Sequence, residues 1–294
     1  MVVKQVEADF KQRFVFDEAD VRGCYVNLSE VCDAIQATHH YPPALAKLIN
    51  EFAAAAVLLR DAIKIKGSLT IQLRTEGAIK LLMADCFSDG KTRAICEYDQ
   101  QRPLGLDLPL HQLTTPVLTV TITPDEGERY QSIIPIESIT LAACLEDYFA
   151  RSEQLPSRFK LMAEQDRVVA ISLHALPPDI VKDTAQAEEI FSHLGILLDS
   201  LQSDEASKDT SDQVLTKLFH ADHCRSFAQQ AVYFGCECSE ERSLRAIISL
   251  GREEVEALIA QELADDKSSL MVDCHFCFQR YEFSFDKVKS AISI

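Results

Sequence analysis

The chain has 294 residues, room for two domains or one large one, and a 47% hydrophobic composition supports a sizeable core. Lys plus Arg number 29 against 46 Asp plus Glu, a net charge of −17 that repels phosphates and argues against a general binder of nucleic acid or anionic membrane. The nine glycines are so dispersed, Gly67 and Gly77 being the nearest pair, that no G-x-G-x-x-G, P-loop or G-x-S-x-G elbow exists, which removes three large enzyme classes.

From the start, Lys4, Glu7, Asp9, Lys11 and Arg13 interrupt the apolar residues of 1–21, a pattern of neither a signal nor a transit peptide, so a cytoplasmic protein is expected. Strands are predicted over 13–17 and 21–26, with Asn27-x-x-Glu30 as the cap of a helix reaching about His40. His39 and His40 are expected at that helix end, satisfying carbonyls. Pro42 and Pro43 suit the first turn of a long Ala-rich helix ending near Lys64. Its apolar run, 52–59, is far shorter than the ~20 residues of a membrane span and reads as a buried helix. Strands follow at 69–74, 79–84, 93–98 and 117–123, a turn at Pro124-Asp-Glu-Gly127, a strand at 130–136, a helix at 141–150 and strands at 159–162 and 167–173. Strands that neighbour one another through short turns predict an α+β fold, with a mixed core domain over 1–177 and largely antiparallel sheets.

Composition then shifts, and 178–230 reads as a helical, acidic linker. Ile190, Phe191, Leu194, Leu198 and Leu201 share one helical face, residues 203–211 read as a flexible polar loop, and a short helix is expected over 213–220. With one apolar stripe and no core of its own, this segment must lean on its neighbours. The remaining 231–294 form a small domain with helices near 240–249 and 253–263 and a hairpin pairing 269–272 with 281–283. A domain this small folds marginally without a metal or a disulfide.

Ten cysteines are too few for a secreted disulfide scaffold. Six are isolated, Cys24, Cys32, Cys86, Cys96, Cys144 and Cys224, and are expected to pack as small apolar residues. The other four form the pairs Cys236-Glu-Cys238 and Cys274-His-Phe-Cys277, a donor set that closes a tetrahedral Zn(2+) site and leaves no position for water or substrate. Such zinc is structural, and its thiolates are the oxidisable form of cysteine; each has a partner one or two residues away to resolve a sulfenic acid. His220, His223 and Cys224 stand at i, i+3, i+4, a second donor set only if a helix carries all three, while His275 reads as a solvent-facing residue.

Seven stretches of the chain stand together: Phe234-Gly-Cys-Glu-Cys-Ser-Glu-Glu-Arg242, Leu250-Gly-Arg-Glu-Glu254, Cys274-His-Phe-Cys277 and Arg280-Tyr-Glu-Phe283 near its end, and His39-His-Tyr-Pro42, Thr123-Pro-Asp-Glu-Gly-Glu-Arg-Tyr130 and Cys144-Leu-Glu-Asp-Tyr-Phe-Ala-Arg-Ser-Glu-Gln-Leu-Pro156 before them. With these the chain resembles, over nearly its whole length, the 33 kDa heat-shock chaperones, redox-activated holdases of the cytosol; the first four are similar to that family's switch domain and the other three to its N-terminal domain. The resemblance implies a non-enzymatic, ATP-independent chaperone that is an inactive monomer when reduced, with one zinc on Cys236, Cys238, Cys274 and Cys277. It further implies that oxidation forms the disulfides Cys236–Cys238 and Cys274–Cys277, expels zinc, unfolds the switch domain and loosens the linker, and that a homodimer then holds unfolding client proteins. Three features depart from the family pattern: a longer spacer at 264–269, Phe278 where a small polar residue usually follows the last cysteine, and no glycine over 110–115.

Two other readings use the same cysteines. One is a constitutive zinc module that docks a partner, which would keep its metal under mild oxidant. The other is a thiol oxidoreductase acting through Cys274-x-x-Cys277, disfavoured because the residues after that motif alternate as a strand rather than open a helix.

Overall fold

The computed structural model describes residues 9–63, 66–102, 104–105 and 108–292; residues 1–8, with Lys4 and Glu7, and the expected helix end at Lys64 lie outside them. The chain divides into two compact units, Met1–Gly235 and Cys236–Ile294. The first unit begins β1 (Phe10–Phe16), β2 (Ala19–Leu28), α1 (Glu30–Thr38), α2 (Pro43–Ala62), β3 (Gly67–Arg74), β4 (Ile79–Phe87) and β5 (Lys91–Tyr98). It continues with β6 (Val117–Pro124), β7 (Tyr130–Ile134), α3 (Leu141–Tyr148), β8 (Ser157–Ala163) and β9 (Val168–Ala175). It closes with α4 (Thr184–Ser200), α5 (Ser203–Lys208), α6 (Ser211–Phe219), β10 (Cys224–Ser226), β11 (Gln230–Ala231) and β12 (Tyr233–Phe234).

Two sheets result. One has the order β10-β1-β2-β9-β8, with β11 also on β1, and all its pairings are antiparallel. The other runs β12-β5-β4-β3-β6-β7 and is antiparallel except where β12 joins β5. Between them lies α2, apolar all round and buried without interruption from Phe52 to Leu59, against β2, β8 and β9 on one side and β3, β4 and β5 on the other. This mixed, largely antiparallel architecture is the α+β fold expected.

Local capping differs from expectation. Asn27 does not cap α1; its Oδ1 accepts from Arg167 Nε and Nη2 at 3.0 and 2.7 Å. The helix start is instead held by Asp9, whose carboxylate accepts from the backbone N–H groups of Ser29, Glu30 and Val31 at 2.6, 3.1 and 2.6 Å. A buried carboxylate brought from the residue that precedes β1 satisfies the orphan donors that a local side chain usually takes. Over 110–115, where no glycine stands, Thr115 takes the left-handed conformation with φ 50°.

Residues 178–230 do lean on a neighbour. Leu194, Leu198 and Leu201, with Val214, Leu215 and Phe219 of α6, bury against Phe10, Phe14 and Phe16 of β1, Tyr25 of β2 and Ile171 and Leu173 of β9. Phe14 lies on Gly23 of β2, where any Cβ would fall 2.1 Å from the ring, so only glycine fits beneath it. The predicted loop at 203–211 is largely helix: Ala206 is buried, Glu205 Oε2 accepts from the Gln202 N–H at 3.3 Å, and Lys208 pairs with Asp204 at 3.1 Å. Polar composition there reflects a helix lying on the surface, with one small residue turned inward.

The second unit comprises α7 (Glu240–Ile248), α8 (Arg252–Ala264), β13 (Ser269–Asp273), β14 (Arg280–Ser284) and α9 (Phe285–Ile292). Helices and hairpin fall where expected; α9 is additional. Its core is small, formed by Ile247, Val255, Ile259, Leu270, Phe283, Phe285 and Val288.

Candidate metal centre

The four paired cysteines converge within the second unit. Cys236 and Cys238 lie on the extended stretch leading into α7, whose start is capped by Ser239 Oγ accepting from Arg242 N–H at 3.2 Å. The Arg242 guanidinium also donates to the Glu237 carbonyl at 2.6 Å, fixing the turn between the two sulfurs. Cys274 and Cys277 occupy the tight connection from β13 to β14. There the Cys274 N–H donates to the Gln279 carbonyl and the Phe278 N–H to the Cys274 carbonyl, at 2.9 and 2.8 Å. Asp273 and Arg280 close the base of this turn with two charge-assisted bonds of 2.7 and 2.8 Å.

All four Sγ atoms lie within 4.8 Å of one another. Cys236 and Cys274 are 3.6 Å apart and Cys238 and Cys277 3.5 Å, close to the edge of about 3.8 Å that a tetrahedron of Zn–S bonds near 2.3 Å would have. The surroundings also donate to sulfur: the backbone N–H groups of Phe276 and Cys277 point to Cys274, that of Gln279 to Cys277, and the Tyr281 hydroxyl reaches Cys238 at 3.1 Å. Burial pushes the Cys277 thiol up to about 12 and raises Cys274 as well, with neighbouring sulfurs adding to both. Four thiols this crowded lose protons readily only when a cation shares their charge, so the donor set fits a thiophilic divalent ion.

The other sequence candidates separate from this centre. His275 is exposed between two of the cysteines. His220, His223 and Cys224 do not share a helix: α6 ends at Phe219, His223 is left-handed with φ 48°, and Cys224 begins β10 opposite Phe16. The helix that a second donor set would need is therefore absent, as the expected helix end near His220 implies, and among the described residues no second group of His, Cys, Asp and Glu gathers as the four cysteines do. Cys24, Cys32, Cys86, Cys96 and Cys144 are buried and Cys224 half-buried; burial pushes Cys86 to about 11 and Cys96 and Cys224 to about 12. These thiols are poor nucleophiles. His39 does end α1, its N–H donating to the Ile35 carbonyl. Sequence reasoning missed Tyr281 and the N–H donors, because spacing between cysteines carries no trace of which strand residue faces them.

The family model described as Hsp33 protein matches residues 9–284. A 33 kDa chaperonin of Pseudomonas aeruginosa is 40% identical over 282 residues, covering 96% of this chain and 93% of that protein. One of Ectopseudomonas mendocina is 40% identical over 276 residues, with 94% and 92% covered. The crystal structure of the 33 kDa chaperonin (heat shock protein 33 homolog) of Thermotoga maritima superposes with a TM-score of 0.73 over 97% of this chain and 98% of the other, at 20% identity, and so shares its fold. The chain belongs to the Hsp33 family.

Proposed function

We propose that this chain is a redox-switched, ATP-independent holdase chaperone of the cytoplasm, with no catalytic role. The observation that carries the reading is the convergence of four sulfurs within 4.8 Å on a unit whose core is only a handful of apolar side chains. In the reduced state Cys236, Cys238, Cys274 and Cys277 hold one Zn(2+), worth ~10–16 kcal/mol in isolated zinc peptides against the ~3–5 kcal/mol a core this small supplies. The ion, when bound, keeps the sulfurs as thiolates and fastens the two turns to each other.

Peroxide takes two electrons from each pair. One sulfur becomes a sulfenic acid, and its neighbour displaces the hydroxyl to form Cys236–Cys238 or Cys274–Cys277, releasing water. Disulfides are not dithiolate ligands, so the metal leaves and the domain over 231–294 unfolds. The linker over 178–230 then loosens from the core domain over 1–177, and apolar surface becomes available to unfolding client proteins, with a homodimer as the active form. Family membership supports the chaperone role, and no helix among the described residues is long and apolar enough to cross a membrane.

Light scattering of a heat-denatured client tests the reading: the peroxide-treated chain suppresses aggregation and the reduced chain does not. A colorimetric chelator, in parallel, registers about one zinc lost per chain. Equal scattering in both states, with zinc retained, would establish the constitutive zinc module in its place.

A further inference from the structure

β1 forms the margin of its sheet except for β10 and β11, which return from far along the chain to lie beside it. Its odd-numbered residues present their backbone to that edge. The Arg13 carbonyl accepts from Phe227 N–H at 2.8 Å, the Asp17 N–H donates to the His223 carbonyl at 3.2 Å, and the Asp9 carbonyl accepts from Val232 N–H at 2.9 Å. Residues 225, 226, 230 and 231 are exposed, and the main-chain bonds are joined by the Arg225 guanidinium, which donates to Asp17 Oδ1 at 3.0 Å, and by Cys224, which packs on the apolar cluster beneath. The main-chain part of that grip accepts any residue but proline.

The side chains of the even-numbered residues of β1 lie on the sheet face that α4 and α6 cover, while their backbone pairs with β2. Phe10, Phe14 and Phe16, with Tyr25, Ile171 and Leu173, make an aromatic and aliphatic floor that the linker helices cover. One polar residue interrupts it. Gln12 is 3% exposed; its Nε2 donates to the Phe227 carbonyl at 2.9 Å and to Asp212 Oδ1 at 3.0 Å, and its Oε1 accepts from Ser211 Oγ at 2.5 Å. It stands where the register slips by one, Phe14 pairing with Ser226 but Lys11 with Gln230. All three partners lie in the linker, so its amide is satisfied only while that segment is docked.

From this we infer that the outer edge of β1 is the strand-addition site for an extended segment of an unfolding client, occupied in the reduced state by residues 224–231 and locked by Gln12. It rests on the reading above that oxidation frees the linker. The departing strand leaves a row of unpaired N–H and C=O groups beside an apolar floor, the combination that accepts a foreign strand. An incoming chain antiparallel to β1 makes the same main-chain bonds, alternate side chains drop onto the floor, and Gln12, already bonded to a main-chain carbonyl, can receive one from the client.

Amide exchange followed by NMR on the full chain tests this, with amides 11, 15 and 17 as reporters and 10, 12 and 14, which face β2, as internal controls. The probes are a capped peptide alternating valine and threonine between terminal lysines, and the same peptide N-methylated at alternate residues. Peroxide is expected to speed exchange at the three reporters by about tenfold or more, the first peptide to restore protection, and the second not to. In the reduced chain, Gln12→Leu keeps the floor apolar, and exchange at the reporters rises about tenfold while α2 stays protected; Ser211→Ala gives a smaller change of the same sign.

Equal protection by both peptides, or client aggregation suppressed with the reporters still open, would overturn the site. So would reprotection that grows with protein concentration alone, because a second copy's 224–231 would then be the occupant. Reporters unmoved in both variants refute the lock. If peroxide leaves the reporters protected and aggregation unaffected, the redox reading itself falls and takes the site with it; if aggregation is suppressed while they stay protected, only the site falls.

Discussion

His174 makes the first unit sensitive to mild acid. It is 3% exposed on β9, its ring 5.2 Å from Phe149 and 5.6 Å from Phe159, with Nδ1 2.8 Å from Ser157 Oγ. Burial, and next the charge of Arg22 on the paired strand, push its pKa from 6.5 down to about 4, against an opposing pull from Asp61. The folded chain therefore keeps a neutral imidazole where the unfolded chain takes a proton. That contribution is whole above pH 6.5 and is lost as pH falls toward 4. At 1.36 kcal/mol per unit the full effect is about 3 kcal/mol, of which about 2 kcal/mol has gone by pH 5. Urea unfolding at pH 7.5 and pH 5, read from exchange protection of β9 amides so that the second unit does not interfere, compares the parent with His174→Gln. The parent should lose about 2 kcal/mol more than the variant over that interval. Identical losses would refute the argument, since the variant cannot titrate.

Glu51 carries the opposite sign. Burial raises its pKa from 4.5 to about 7 despite Lys47, so the fold favours the neutral acid and loses stability as pH rises through 7. Glu51→Gln should stabilise the chain by about 3 kcal/mol at pH 8 and hardly at all at pH 4.5; an equal gain at both pH values in denaturant titrations counts against this. Asp9→Ala strips three N–H groups of their acceptor at the start of α1, at a cost of about 2–3 kcal/mol, and calorimetry should show the melt lowered by roughly 5–10 °C. A melt matching the parent's would show that water or Ser29 replaces the cap. Phe278 follows the last of the four clustered cysteines, in the left-handed region, φ 54°, and half exposed. On the function proposed above, Phe278→Gly removes about 1 kcal/mol of backbone strain and should slow loss of the bound metal to a chelator about fivefold; faster loss would mean that the phenyl ring shields the site.

Period-two alternation, a pair of prolines and an uninterrupted apolar run are local signals, and they suffice for most strands of the first unit, the start of α2 and its burial. The gathering of the four paired cysteines was equally legible, because two short cysteine spacings need only a turn apiece to present their sulfurs. Tertiary structure alone decided what depends on distant partners. Asn27 lost its capping role to Asp9, and Ser203–Lys208 became helix because Ala206 found a buried seat. Cys224 found its place on a strand opposite Phe16, which no local signal announced, and Gln12 acquired its meaning from residues 211–227. A short segment states what its backbone prefers and which face is apolar; which acceptor a buried donor meets is fixed by packing elements that lie far apart along the chain.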